Sequence, residues 1–330
     1  MRTHRNFLIL LVLVFSASSG FAQSVAIPSA VGCASPALAP VPNANQLALL
    51  RWYGANTVNT FPTGGGPNGI AFDGANVWVV GGPPNSVSKF RANDGALVGT
   101  FAVGNIPGYA AFDGANIWVT NLLDHTVSKL RASDGTNLGN FPTGAFPWVI
   151  AFDGSSIWIA DIGDNTVSKL RPNDGATLGV FPAGPNPIGL AFDGQNVWVA
   201  NQGGANTVTK LRASDGVRLG VFPVGKNPVG VTFDGSFIWV ANQDSDNVMR
   251  LRPSDGQVMG TFPVGSRPQF VAFDGTNVWI TNAGSNSVTK LRACDGEALG
   301  TFPTGGPPFG IVFDGANFWT ANNNGSTSKL

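Results

Sequence analysis

The chain has 330 residues, a formal net charge of zero and only 12% charged residues, where ordinary soluble domains carry about a quarter. Neutrality removes any general attraction to nucleic acid or to anionic lipid. The 44 glycines point to a chain with many turns, and no sustained helical period runs through it.

Arg2, His4 and Arg5 begin the chain with positive charge, and Phe7 to Phe15 follow as an apolar run. That run is too short to span a bilayer. Gly20-Phe21-Ala22 fits a small-x-small cleavage site, so residues 1–22 are expected to be a signal peptide. The mature protein is then secreted or periplasmic, with no membrane insertion after cleavage. Residues 23–49 form a Pro/Ala-rich lead-in that contains Cys33, and the second cysteine is Cys294. An even cysteine count in an exported chain predicts a disulfide between them.

From residue 50 the chain repeats. Phe-Asp-Gly recurs at Phe72, Phe112, Phe152, Phe192, Phe233, Phe273 and Phe313, and a Trp follows each Phe by six positions. A period near forty with strand-like content marks a repeat architecture. The unit beginning at Pro187 predicts strands over 187–193, 196–200, 207–212 and 218–223, because β-branched and aromatic runs are bounded there by Gly, Pro, Asn and Asp. Asp-Gly suits the tight turns, since glycine accepts positive φ. Four strands in about forty residues make a β-propeller blade, so residues 50–330 are expected to form an all-β, seven-bladed propeller. The Trp and Phe columns should pack between blades. The last unit stops at Leu330 after a third strand, while Thr57 to Gly64 read as an outer strand without a blade. The N-terminal strand is therefore expected to complete blade seven and close the ring, which removes an exposed edge.

Seven internal copies separate architecture from departures. Thirteen Asp lie in the repeated turns, where a carboxylate caps backbone groups. The Arg that ends each third strand predicts a ring of Arg–Asp pairs on the same face. Asp124, Asp161, Asp164, Asp244 and Asp246 are left over, and all read as loop residues between second and third strands. His125 lies there too, and Lys226 and Arg267 lie in the loops that enter the next blade. Strand alternation places both loop classes on one face. The positions after each loop proline vary, and Tyr109, Trp148, Phe270 and Phe309 stand there. These residues form the candidate ligand-binding set, because polar, charged and aromatic groups converge on one funnel.

The carboxylates of Asp161/Asp164 and Asp244/Asp246 offer oxygen of the kind Ca²⁺ takes, without matching an EF-hand. Zinc is not expected, since one mature His and two distant Cys are too few ligands. Glu297, the single Glu, falls near an outer strand on the opposite face. His125 beside Asp124 is the one candidate base with an orienting partner. No nucleophile-elbow, zincin or phosphate-loop motif occurs.

Trp118-Val-Thr-Asn121, Trp279-Ile-Thr-Asn282, Trp198-Val-Ala-Asn201 and Trp239-Val-Ala-Asn242, each with a following Val-Ser/Thr-Lys-Leu run and a preceding Gly-x-x-Pro, resemble the YVTN family of β-propeller repeats. Trp stands for that family's Tyr, and blades one and three depart at Val80-Gly81 and Ala160-Asp161. The resemblance implies an exported binding or scaffold role. The fold is also similar to the streptogramin (virginiamycin B) lyase propellers, whose His, Glu and Mg²⁺ chemistry does not carry over to a chain with one mature His. The expectation is a non-catalytic module that binds a glycan, a small polar ligand or a protein, with no obligatory cofactor. The alternative is a metal-assisted lyase or hydrolase at the channel mouth.

Overall fold

The computed structural model describes residues 58–81 and 84–330. All described residues lie within one compact unit, 40–330. The expected signal peptide, the whole lead-in and Cys33 lie outside the described residues. The described chain is a seven-bladed, all-β propeller of four-stranded antiparallel sheets. Its one helical turn is a 3₁₀ segment, Gln243–Ser245. Blades one to six span residues 69–102, 107–142, 147–182, 187–223, 228–263 and 268–303. Blade seven holds 308–329, and its fourth place is taken by Asn59–Pro62, which pairs antiparallel with Ser326–Lys329.

In blade four the strands are Pro187–Phe192, Asn196–Asn201, Thr207–Arg212 and Arg218–Pro223. They coincide with the expected strands to within a residue, because turn chemistry marks both ends of each. The Asp of every Phe-Asp-Gly does more than cap its turn. Asp193 Oδ1 accepts the Gln195 and Asn196 amides, and Oδ2 accepts the Trp198 indole N–H at 2.7 Å. The Trp–Asp bond recurs in all seven blades, at 2.6–2.9 Å. Burial pushes the Asp73, Asp113, Asp193, Asp274 and Asp314 carboxyls up, but these N–H donors more than offset it and leave them below the usual carboxylate range. A fully buried Trp thus keeps its polar N–H satisfied while its rings fill the gap between blades.

The outer-strand Phe lies against the Trp of its own blade, as Phe222 does against Trp198 at 5.5 Å. A Lys from the third strand also lies over the Trp ring. Lys89, Lys129, Lys169 and Lys210 lie 4.9–5.2 Å from their Trp rings. Each ammonium then donates to a backbone carbonyl of the next blade, Lys89 to Ala132 and Lys129 to Pro172. Arg250 takes this place in blade five and donates to the Ala293 and Cys294 carbonyls. These cations are blade-to-blade fasteners, and Lys89, Lys129, Lys169 and Lys210 are buried. The Arg–Asp pairs form as i,i+3 contacts with the turn that follows, Arg91 to Asp94 for example, and not with the Phe-Asp-Gly carboxylates. They are exposed and contribute little stability.

Asn59–Pro62 behaves as an outer strand in its packing too. Phe61 stacks on Trp319 at 5.4 Å. It also touches Gly95 of blade one, where the ring leaves no room for a Cβ, and Gly95 has φ +74°. Phe101 meets Gly135 in the same way.

Candidate ligand-binding face

Six of the seven inner strands, all but that of blade one, begin with a proline and a register shift immediately after it, as between Pro107 and Ala110 or between Pro268 and Val271. This bulge re-aims the next two side chains toward the propeller axis. Four blades carry glycine at the second of these positions, because the neighbouring inner strand is in contact. A Cβ on Gly230 would meet Gln269 and Phe270 of the next blade. Blades two and six carry Tyr109 and Phe270 there instead. Their rings meet across the axis at 4.9 Å, and Trp148 packs edge-on to Tyr109 at 5.6 Å. The axis is therefore filled by aromatics at this level. Tyr109 is buried, and that burial raises its phenol above the ordinary range.

Two threonines fix this cluster. Thr120 Oγ1 accepts the Tyr109 N–H at 2.9 Å and donates to the Trp148 carbonyl at 2.7 Å. Thr281 does the same for Phe270 and the Phe309 carbonyl, at 2.9 and 2.7 Å. Sequence reasoning found the aromatics but missed the threonines. Thr at the second position after Trp, where Val or Ala stands in other blades, was the available signal.

The polar members of the expected set hold the loops together. Asp124 accepts the Asn105 N–H at 2.8 Å, and Asp164 accepts the Ala145 N–H at 2.7 Å. These hydrogen bonds, with the Asn105 amide, hold the Asp124 carboxyl below its ordinary range. Ser245 Oγ serves Lys226 N–H in the same manner. His125 Nδ1 accepts the Phe146 N–H of the next blade at 2.9 Å, and Asp246 Oδ1 accepts the Arg267 N–H at 2.8 Å. Asn85, Asn165 and Asn206 make the equivalent link elsewhere. All five occupy the left-handed region, with φ between 48° and 59°, where Asn and Asp are tolerated. His125 and Asp246 are thus variants of one repeated latch. The His125 and Asp124 side chains are directed to different loops, so the structure does not assemble them as a base–orienter pair. Asp244 lies within the 3₁₀ turn, and it, Lys226 and Arg267 are exposed with no side-chain partner among the described residues.

Asp161 is not a loop residue. It ends the second strand of blade three and is completely buried. Five other blades place Asn here, and Asn121 shows why: its amide donates to Thr126 and Ser128 hydroxyls at 3.0 and 2.9 Å. A carboxylate has no such donors. Ser168 instead donates to Asp161 Oδ2 at 2.6 Å, while Asp161 Oδ1 and Thr166 Oγ1 are buried without a partner. Burial pushes the Asp161 carboxyl up to about 7, against the Ser168 hydrogen bond and with help from the Asp164 charge. Among the described residues no three His, Cys, Asp or Glu side chains converge as a metal-binding group. A groove between blades three and four lies on the opposite, Phe-Asp-Gly face, lined by Lys169, Gln195, Lys210 and Arg212.

The fold and this face define a propeller with a sealed axis and an asymmetric loop surface. No protein-family model matches the chain, and no curated protein matches it. Solved structures do resemble it. Hydrazine synthase from Kuenenia stuttgartiensis superposes with a TM-score of 0.72 at 19% identity, covering 83% of this chain and 97% of that one. Virginiamycin B lyase from Staphylococcus aureus gives 0.72 at 19% identity, over 83% and 98% of the two chains. A streptogramin B lyase gives 0.70 at 19% identity, over 83% and 96%. At this identity the likeness shows the shared propeller fold.

Proposed function

We propose that the protein is an exported, non-catalytic binding or scaffold propeller of YVTN type, which recognises a small polar ligand, a glycan or a protein partner on the irregular-loop face. One observation carries this reading. A frame repeated seven times departs from its pattern around one end of the axis, where Tyr109, Phe270 and the half-buried Trp148 close the channel beneath a ring of unlike side chains. A closed floor with a varied rim suits capture of a ligand from solution. Against a metal-assisted lyase or hydrolase at this mouth weighs the engagement of Asp124, Asp164 and Asp246, whose carboxylates already accept backbone N–H groups.

The test compares two tryptophans. Ligands found by a thermal-shift screen of glycans and peptides should lose at least about tenfold in affinity to the Trp148→Ala protein, while its fold is retained. Trp198→Ala should cost about 3–5 kcal/mol of stability as a large-to-small core change and leave the affinity of the remaining folded protein unaltered. A ligand that binds Trp148→Ala as well as wild type removes the assignment, and turnover of a bound compound replaces it with the enzymatic one.

A further inference from the structure

The loop face is divided into two sectors of opposite character on one backbone frame. Two positions show this: the residue before the inner-strand proline, and the residue after the second strand. In blades two and three they hold Ile106 with Leu122 and Phe146 with Ile162. In blades four and five they hold Asn186 with Gln202 and Asn227 with Gln243. The backbone hydrogen bond joining each pair is the same, 3.0–3.1 Å from the amide of the second to the carbonyl of the first. Only the side chains differ.

The apolar sector is exposed. Ile106, the neighbouring Leu123 and Phe146 are 42%, 52% and 42% accessible, and the other exposed large hydrophobics among the described residues lie on or beside outer strands. Ile106 and Phe146 also sit at φ 49° and 54°. That conformation suits Asn and is strained for a β-branched or bulky residue. An exposed, strained Ile where two sister blades carry Asn is a departure that local stability does not explain. The amide sector is preorganised by its own hydrogen bonds. Gln243 Oε1 accepts from Asn227 at 3.1 Å and from Gln202 at 3.4 Å. This leaves the Gln243 NH₂ and the Gln202 carbonyl oxygen without intramolecular partners among the described residues. Trp148, Ile188 and Val229 stand after the three prolines between the sectors. At the two sector positions and the position after proline, Arg267 is the one charged side chain among the described residues.

We infer that this face takes an uncharged, two-ended ligand of the glycoside class, with an apolar aglycone on Ile106, Leu122 and Phe146 and a hydroxylated ring on the Gln202–Gln243–Asn227 amides. This rests on the binding reading above and narrows it. Amides donate to and accept from hydroxyls without requiring a counter-charge. Trp148 lies where a sugar's C–H face or an aryl ring stacks. An uncharged ligand fits because these lining positions offer no carboxylate and one cation, Arg267, while the exposed Asp244 and Lys226 stand on the flanking loops as one charge of each sign.

Calorimetric titration with phenyl β-D-glucopyranoside, phenyl β-D-galactopyranoside and phenyl N-acetyl-β-D-glucosaminide tests the inference, against the free sugars and phenyl β-D-glucuronide. At least one neutral phenyl glycoside should bind about tenfold or more tightly than its free sugar and than the charged glucuronide. Ile106→Asn with Phe146→Asn installs the residues that blades four and five carry, so this variant should melt no lower than wild type and yet lose the tenfold gain. Gln243→Leu should weaken the glycoside and the free sugar alike. The inference is overturned if no phenyl glycoside binds, if free sugar and glycoside bind equally, or if the double variant binds like wild type. Should it fall while Trp148→Ala still abolishes capture of some other ligand, the binding reading survives it; a ligand indifferent to Trp148 ends both.

Discussion

A single exchange, Asn to Asp at position 161, shows how a repeat constrains its members. The folded Asp161 carboxyl titrates near 7, against about 3.9 in an unfolded chain. Between those values the folded state binds more protons than the unfolded one, so stability falls as pH rises. The wild-type melting temperature should therefore drop between about pH 4 and pH 8, by an effect worth at most about 4 kcal/mol. Asp161→Asn should flatten that slope and melt higher at pH 8, because the amide restores donors to Thr166 and Ser168. Equal slopes in the two proteins would refute the account. The irregular letter at 161 marks Asp161 as a candidate ligand residue in the sequence. Its burial was not legible, since the second strand runs one residue further than its apolar run. His125, Asp246 and Asp124 also carry structural work that their letters do not reveal. They differ in letter from Asn or Ser at sister positions but do the same chemistry, accepting one backbone N–H.

Among the elements, the strand limits of blade four were legible to within a residue, because Pro, Gly and Asp punctuate the chain there. Partnerships between elements were not, since they depend on where a third-strand Lys reaches, and Lys89 bonds a residue 43 positions away. The strand Asn59–Pro62 is the informative element. It pairs with Ser326–Lys329 and stacks Phe61 on Trp319, which every other blade achieves with its own following strand. A circular permutant carrying residues 58–65 after Leu330 should fold to the same melting temperature within a few degrees. A chain lacking residues 58–65 altogether should aggregate or melt without cooperativity, because it exposes an edge and uncovers a Trp. A deleted chain that stays monomeric with unchanged melting would refute this. The expected Cys33–Cys294 bridge is tested on its own: the exported, unfolded, unreduced protein should show no free thiol, and two would sink it.

For the whole molecule, contacts run mainly between neighbouring blades, so its stability is nearly a sum of blade and interface terms. Two links fasten most interfaces on the outside and at the loops: the third-strand cation to the next blade's carbonyl, and the left-handed latch to the residue before the next proline. The boundary between blades six and seven has neither among the described residues. Lys290 lies 4.7 Å from Trp279 but donates to no described carbonyl, and the residue facing Asn286 is Pro307, which has no N–H. The aromatic stack of Trp279 on Phe318, at 4.4 Å, and the Thr281 bond to Phe309 remain there. Among the described residues this joint carries the fewest links. The joint from blade seven to blade one keeps the Lys329 link but has Gly325 in place of the latch, and the positions that would answer Lys290 by repeat equivalence, 52 and 53, lie outside the described residues. Under heat or tension the molecule should crack first between Arg292 and Pro308 and peel open from one side, as a bracelet opens at its clasp. Amide exchange should be fastest along that boundary while the opposite arc, blades two to four, is still protected.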